Sequence, residues 1–220
     1  MSELKYIEVE TGANPVASVI WLHGLGANGH DFEPVVPELK LPAEMPVRFI
    51  FPHAPEIPVT INGGYIMPAW YDILEMDVER KVDEAQLFAS AEAISQLIDR
   101  ELERGIPSSK IVIAGFSQGG AVAYQCALTY PQPLAGLLAL STYFATNNTI
   151  QAASANESLP IQIMHGTMDP VVPVSLGRKA ADLLAERGYS VEYRDYRIEH
   201  NVSLPEINDI SQWLQAVLAK

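Results

Sequence analysis

Cysteine is almost absent from the 220 residues: Cys126 stands alone, so no disulfide can form within the chain. That usage suits a reducing compartment, and the expected location is cytoplasmic. Basic residues are scarce as well. Fourteen Lys and Arg face 27 Asp and Glu, giving a formal net charge of −13 and a pI near 4.7. Nucleic acid and anionic membranes both select a basic face, so neither is an expected partner. No apolar run approaches the ~20 residues that span a bilayer, which argues against stable membrane insertion. Residues 1–8 hold no apolar segment flanked by basic residues, and no signal peptide is expected there. Repeats and low-complexity tracts are lacking. What is present is an ordinary globular composition, 48% hydrophobic and 19% charged, on a length that suits one domain over residues 1–220.

The most informative stretch runs from Lys110 to Gln125. Ile111 to Ala114 is an apolar, β-branched run that suits a strand buried on both faces, and Ala121 to Tyr124 suits a helix. Gly115-Phe116-Ser117-Gln118-Gly119 lies between them, a Gly-x-Ser-x-Gly pattern. Where a strand turns sharply into a helix, flanking positions approach other backbone so closely that only glycine fits. Such a turn lifts the Ser117 hydroxyl clear of the sheet at a helix N-terminus, where unpaired N–H groups favour a developing oxyanion. The alternative is a glycine-rich turn with a solvated serine. The strand before and helix after favour the first.

Along the rest of the chain, 6–10 alternates like an edge strand and 17–22 reads as a buried strand. The latter opens into His23-Gly24-Leu25-Gly26-Ala27-Asn28-Gly29, where the Leu25 amide is a candidate oxyanion donor beside that of Gln118. His23 is expected to hold this loop by a hydrogen bond. Asp31 is expected to cap a short helix reaching Leu39, and 47–51 is a further strand. Residues 53–77 fit no regular element, with Pro55, Pro58, Pro68 and the Gly63-Gly64 pair among many apolar side chains. Such a loop either lines an apolar ligand pocket or simply folds onto the core. An amphipathic helix spans 83–104, strands follow at 134–140, 161–164 and 191–196, and helices at 175–187 and 205–219. Alternation of strands and helices over this length gives an α/β fold with a mostly parallel sheet.

Three groups fall at expected strand ends in the order serine, acid, histidine: Ser117, Asp169 and His200. That is the chain order of the α/β-hydrolase fold. In this arrangement His200 takes the Ser117 proton, and Asp169 orients and stabilises the imidazole. Asp195 lies inside a strand and is expected to point elsewhere. Taken singly, Asp169 is also a turn former before Pro170, and His200 a surface loop residue.

The chain resembles the bacterial carboxylesterase and acyl-protein thioesterase (lysophospholipase-like) family of α/β-hydrolases. The resemblance rests on Val19-Ile20-Trp21-Leu22-His23-Gly24-Leu25-Gly26, Asn62-Gly63-Gly64, Ala69-Trp70-Tyr71-Asp72, Gly115 to Ala121, His165-Gly166, Asp169-Pro170-Val171-Val172-Pro173 and His200. It implies a central sheet with helices on both faces, no large lid domain, and a serine esterase without cofactor or metal. It also implies oxyanion donors at Leu25 and Gln118 and an acyl groove built from Ile57, Ile66, Met67, Trp70 and Tyr71, with Val171. The implied substrates are short- to medium-chain acyl esters, with thioesters and lysophospholipids in the same range. Some relatives form homodimers that cover the active-site face. Glu199 departs from the small residue usual before the histidine; a carboxylate turned toward His200 would favour the imidazolium, and a surface loop is expected to turn it outward. A non-catalytic acyl-binding protein of the same fold is the alternative, disfavoured by the intact trio. A dienelactone-hydrolase-like enzyme would want cysteine where Ser117 stands.

Overall fold

The computed structural model describes residues 4–76 and 80–220. Its centre is a seven-stranded sheet built from β1 (Tyr6–Glu10), β2 (Ala17–Leu22), β3 (Val47–Pro52), β8 (Ile111–Phe116), β9 (Gly136–Leu140), β10 (Ile161–Gly166) and β11 (Val191–Tyr196). The order is β1-β3-β2-β8-β9-β10-β11. Only β1 runs antiparallel, pairing β3 at one edge, while the other neighbours are parallel. Every residue of β2, β3, β8, β9 and β10 is buried, as continuous apolar runs require when both faces of a sheet are covered.

The period-2 alternation of the strands divides their side chains between two cores. Ile20, Leu22, Ile113 and Ile163 pack with α1 (Glu84–Glu103), α2 (Gln118–Thr129) and buried residues of α3 (Val174–Glu186). Val19, Trp21, Val112, Leu138 and Met164 pack with α4 (Leu204–Leu218). Asp83 caps α1 by accepting from the Gln86 N–H at 3.0 Å, and Ser203 with Glu206 forms a capping box at the start of α4. Gly188 follows α3 with φ 88°, the left-handed conformation expected past a helix end. Cys126 is wholly buried on α2.

Two expectations are corrected. The helix expected from Asp31 to Leu39 is a pair of 3₁₀ turns, Glu33–Val35 and Pro37–Leu39, and the residue before the first is Phe32, not Asp31. Pro34 and Pro37 lack the N–H that a continuous helix would need. Residues 53–77 are not irregular throughout. Glu56–Val59 (β4) pairs antiparallel with Tyr65–Pro68 (β5), and Ile73–Glu75 (β6) with Lys81–Val82 (β7). Gly63 and Gly64 turn the first hairpin at φ 66° and 77°. Asp77 lies outside the described residues.

Candidate active site

The strand β8 occupies the middle of the sheet, so its C-terminal end opens where the loops after β2, β9 and β10 converge. Ser117 is the residue between β8 and α2, held at φ 54°, ψ −121°, a conformation that non-glycine residues rarely adopt. Its surroundings fix it there. The Ser117 N–H donates to the Leu140 carbonyl (2.9 Å), and the Thr142 hydroxyl donates to the Ser117 carbonyl (2.6 Å). A Cβ at Gly115 would lie 2.4 Å from the Gly119 carbonyl oxygen, and one at Gly119 would lie 2.4 Å from that of His23. The two flanking glycines of the motif are thus a steric necessity.

Asp169, in the turn after β10, and His200, in the loop after β11, are brought to the serine. Ser117 Oγ lies 2.9 Å from His200 Nε2, and His200 Nδ1 lies 2.6 Å from Asp169 Oδ2. The other carboxylate oxygen, Oδ1, accepts from the Val171 and Val172 amides, each at 2.8 Å. Burial alone would push the Asp169 carboxyl up; the bonds from His200 and the two amides outweigh it and hold the group below its ordinary value, hence ionised. An ionised acceptor at Nδ1 places the imidazole proton there and leaves Nε2 free to accept from the serine. The Phe116 ring, 4.6 Å from the imidazole centroid, packs against it. Glu199 is exposed, and both nitrogens of His200 are engaged by other groups.

Leu25 and Gln118 line the same cavity as Ser117. Gln118 opens α2, where an amide has no intrahelical acceptor. His23 does hold the preceding loop: its Nδ1 faces the Gly24 carbonyl at 2.7 Å, and its Nε2 accepts from the Ala54 amide at 3.1 Å. Burial pushes this imidazole down to about 4, so it is neutral at pH 7. Asp195 is engaged by another partner, accepting from Arg178 at 2.6 Å.

The groove differs from the expected one. The cavity at Ser117, about 190 Å³, takes its apolar walls from Leu25, Ile61, Ile73, Met76 and Val171, with Arg80 and Tyr143. Of the six expected lining residues only Val171 is among them. Trp70 and Tyr71 are buried in the core: Trp70 Nε1 donates to the His23 carbonyl at 2.9 Å, and the Tyr71 hydroxyl meets that of Tyr143 at 2.7 Å. Ile57, Ile66 and Met67 sit on the β4–β5 hairpin, with Ile66 exposed near its tip and Met67 Sδ accepting from Asn62, a residue of the cavity wall, at 3.3 Å. Tyr143, which carries no motif in the sequence, follows the C-terminal end of the parallel strand β9, where such folds build their sites.

The chain matches the phospholipase/carboxylesterase family over residues 4–218. It belongs to that family. An acyl-protein thioesterase 1 from Neurospora crassa is 39% identical over 219 residues, covering 94% of this chain and 89% of that protein. The fold is similar to crystal structures of Arabidopsis thaliana SOBER1 (TM-score 0.85, 31% identity, 92% of this chain and 99% of that one) and of Zea mays acyl-protein thioesterase 2 (TM-score 0.83, 27% identity, 97% and 99%). This family carries the α/β-hydrolase fold, in agreement with the parallel sheet described above. Among the described residues, no helix is long and apolar enough to cross a membrane.

Proposed function

We propose that the chain is a serine carboxylesterase that hydrolyses acyl esters, thioesters among them, through an acyl-enzyme on Ser117. The observation that carries this reading is the hydrogen-bonded series Ser117–His200–Asp169, whose serine lines a cavity with largely apolar walls. Membership of the phospholipase/carboxylesterase family and likeness to proteins named acyl-protein thioesterase support the same substrate class.

In this mechanism an acyl carbonyl enters beside Ser117 with its chain in the cavity. His200 Nε2 takes the hydroxyl proton as Oγ attacks the carbonyl carbon. The resulting oxyanion accepts from the backbone amides of Leu25 and Gln118. His200 then passes its proton to the departing alkoxide or thiolate, leaving the acyl group on Oγ. Water enters, loses a proton to His200 and attacks the acyl carbon; Oγ leaves and recovers that proton, releasing the carboxylic acid. Asp169 remains an anion throughout and stabilises the imidazolium. All three side chains come from one chain.

Labelling with a fluorophosphonate, beside kcat/KM for p-nitrophenyl and thioester substrates, tests the reading. Wild type is expected to label and turn over, and Ser117→Ala to do neither. Failure of the wild type in both assays would favour the non-catalytic acyl-binding alternative.

A further inference from the structure

The wall of the cavity at Ser117 includes one charged side chain among the described residues. Half-buried Arg80 lines this cavity and also a second one of about 310 Å³, whose walls combine apolar side chains such as Phe144, Leu176 and Leu183 with polar ones such as Lys81, Glu84 and Lys179. Among the described residues, Tyr143 alone shares this position between the two. Arg80 and Tyr143 are in contact, the guanidinium carbon 4.9 Å from the ring centroid. Arg80 Nη2 donates to the carbonyl of Val171, in the turn that carries Asp169, and Tyr143 is tied in turn to buried Tyr71. The partition is therefore fastened at each end.

We infer that Arg80 is a specificity-determining residue: it is the wall that ends the acyl slot and keeps the two cavities apart. This inference rests on the esterase reading above. Short and medium acyl chains fit against Leu25, Ile61, Ile73, Met76 and Val171 and stop at the guanidinium. A longer chain must displace a cation from a carbonyl acceptor and an aromatic face, offering only methylenes in return, which is unfavourable. With the wall removed, the slot opens into the second cavity, where an added length of chain meets Val82, Phe144, Leu176, Ala180 and Leu183 along one part of a wall that elsewhere carries Lys81, Glu84 and Lys179.

The test is kcat/KM for p-nitrophenyl butanoate, octanoate and dodecanoate in wild type, Arg80→Ala and Arg80→Gln. Each additional methylene that gains burial is worth about fourfold. The dodecanoate-to-butanoate ratio is expected to rise on the order of tenfold or more in Arg80→Ala. Arg80→Gln, a shorter side chain that retains a donor for the Val171 carbonyl, shifts the ratio the same way if the alanine variant is too unstable to assay. Adding Leu176→Trp to Arg80→Ala fills the second cavity and returns the ratio toward wild type. Equal slowing of all three esters, with the ratio unchanged, would reduce Arg80 to a structural tie and overturn the inference. That result is distinct from failure of the esterase reading, in which the wild type itself neither labels with fluorophosphonate nor hydrolyses any ester.

Discussion

Asp169 meets His200 through one oxygen, Oδ2, while Oδ1 is committed to the amides of Val171 and Val172. This division sets the outcome of Asp169→Asn. The amides are donors, so the new carboxamide turns its oxygen to them and its NH₂ toward His200. Nδ1 must then accept, which moves the imidazole proton to Nε2, the atom that has to receive the serine proton. A fall in kcat on the order of 10³–10⁴ is expected, with little change in the urea unfolding midpoint. A fall of less than tenfold would show that Asp169 does not set the tautomer.

An elbow glycine, Gly119, and a hairpin glycine, Gly63, predict two very different alanine variants. At Gly119 an added methyl meets the His23 carbonyl oxygen at 2.4 Å and the Leu22 Cβ at 2.7 Å, both fixed by the sheet. Gly119→Ala is expected to cost more than about 4 kcal/mol or to yield no folded protein. Gly63 has open space around it and carries only the cost of φ 66°, about 1–2 kcal/mol. Thermal unfolding of the pair would check this order, and comparable Tm losses would contradict it.

Two buried groups make stability depend on pH in opposite senses. His23 is pushed from 6.5 down to about 4, chiefly by burial, so the unfolded chain takes up this proton first and stability is lost as pH falls from about 6.5 to about 4. Buried His165, also lowered by burial, acts in the same sense. Glu206 is raised from 4.5 to about 7, again chiefly by burial; the folded chain keeps a proton that the unfolded chain has released, and stability is lost as pH rises through that window. Glu206→Gln removes this term while keeping an acceptor for the Ser203 amide. Relative to wild type, the variant is expected to gain about 3 kcal/mol between pH 4.5 and 7 in urea titrations. Parallel stability curves would refute the assignment.

Cys126 is fully buried, and burial pushes its thiol up to about 12, with a weak opposing contact from Ser95. Thiolate is the reactive form, so the native protein is expected to resist Ellman's reagent at pH 8 and to react promptly in denaturing urea. Rapid stoichiometric reaction of the native protein would be the contrary result.

Much of this architecture is written in short-range patterns. β2 and β11 begin and end where their apolar or alternating runs do, and the α1 helix follows its Asp83 cap. The order of Ser117, Asp169 and His200 was equally legible, because each stands just beyond a strand. The hairpin of β4 and β5 was hidden by Pro58 and Pro68, which count against strands in a wide sheet but are tolerated in a two-stranded ribbon whose outer edges need no donor. The cavity was hidden for another reason. Its walls come from residues as distant as Leu25, Ile61, Tyr143 and Val171, and no local pattern says that Trp70 and Tyr71 turn inward instead.

That inward turn has a cause at Gln118. Its side-chain Oε1 accepts from the Trp70 amide at 2.9 Å and its Nε2 donates to the Tyr71 carbonyl at 2.6 Å, while Gln118 itself lines the cavity beside Ser117. For anyone redesigning this protein toward other acids, the molecule separates into tied and untied parts. Changes at Trp70 or Tyr71 pull on Gln118 and would be felt in turnover as well as selectivity. Ile61 and Met76 meet the cavity as plain apolar walls, and they are where chamber size can be retuned while the chemistry is left alone.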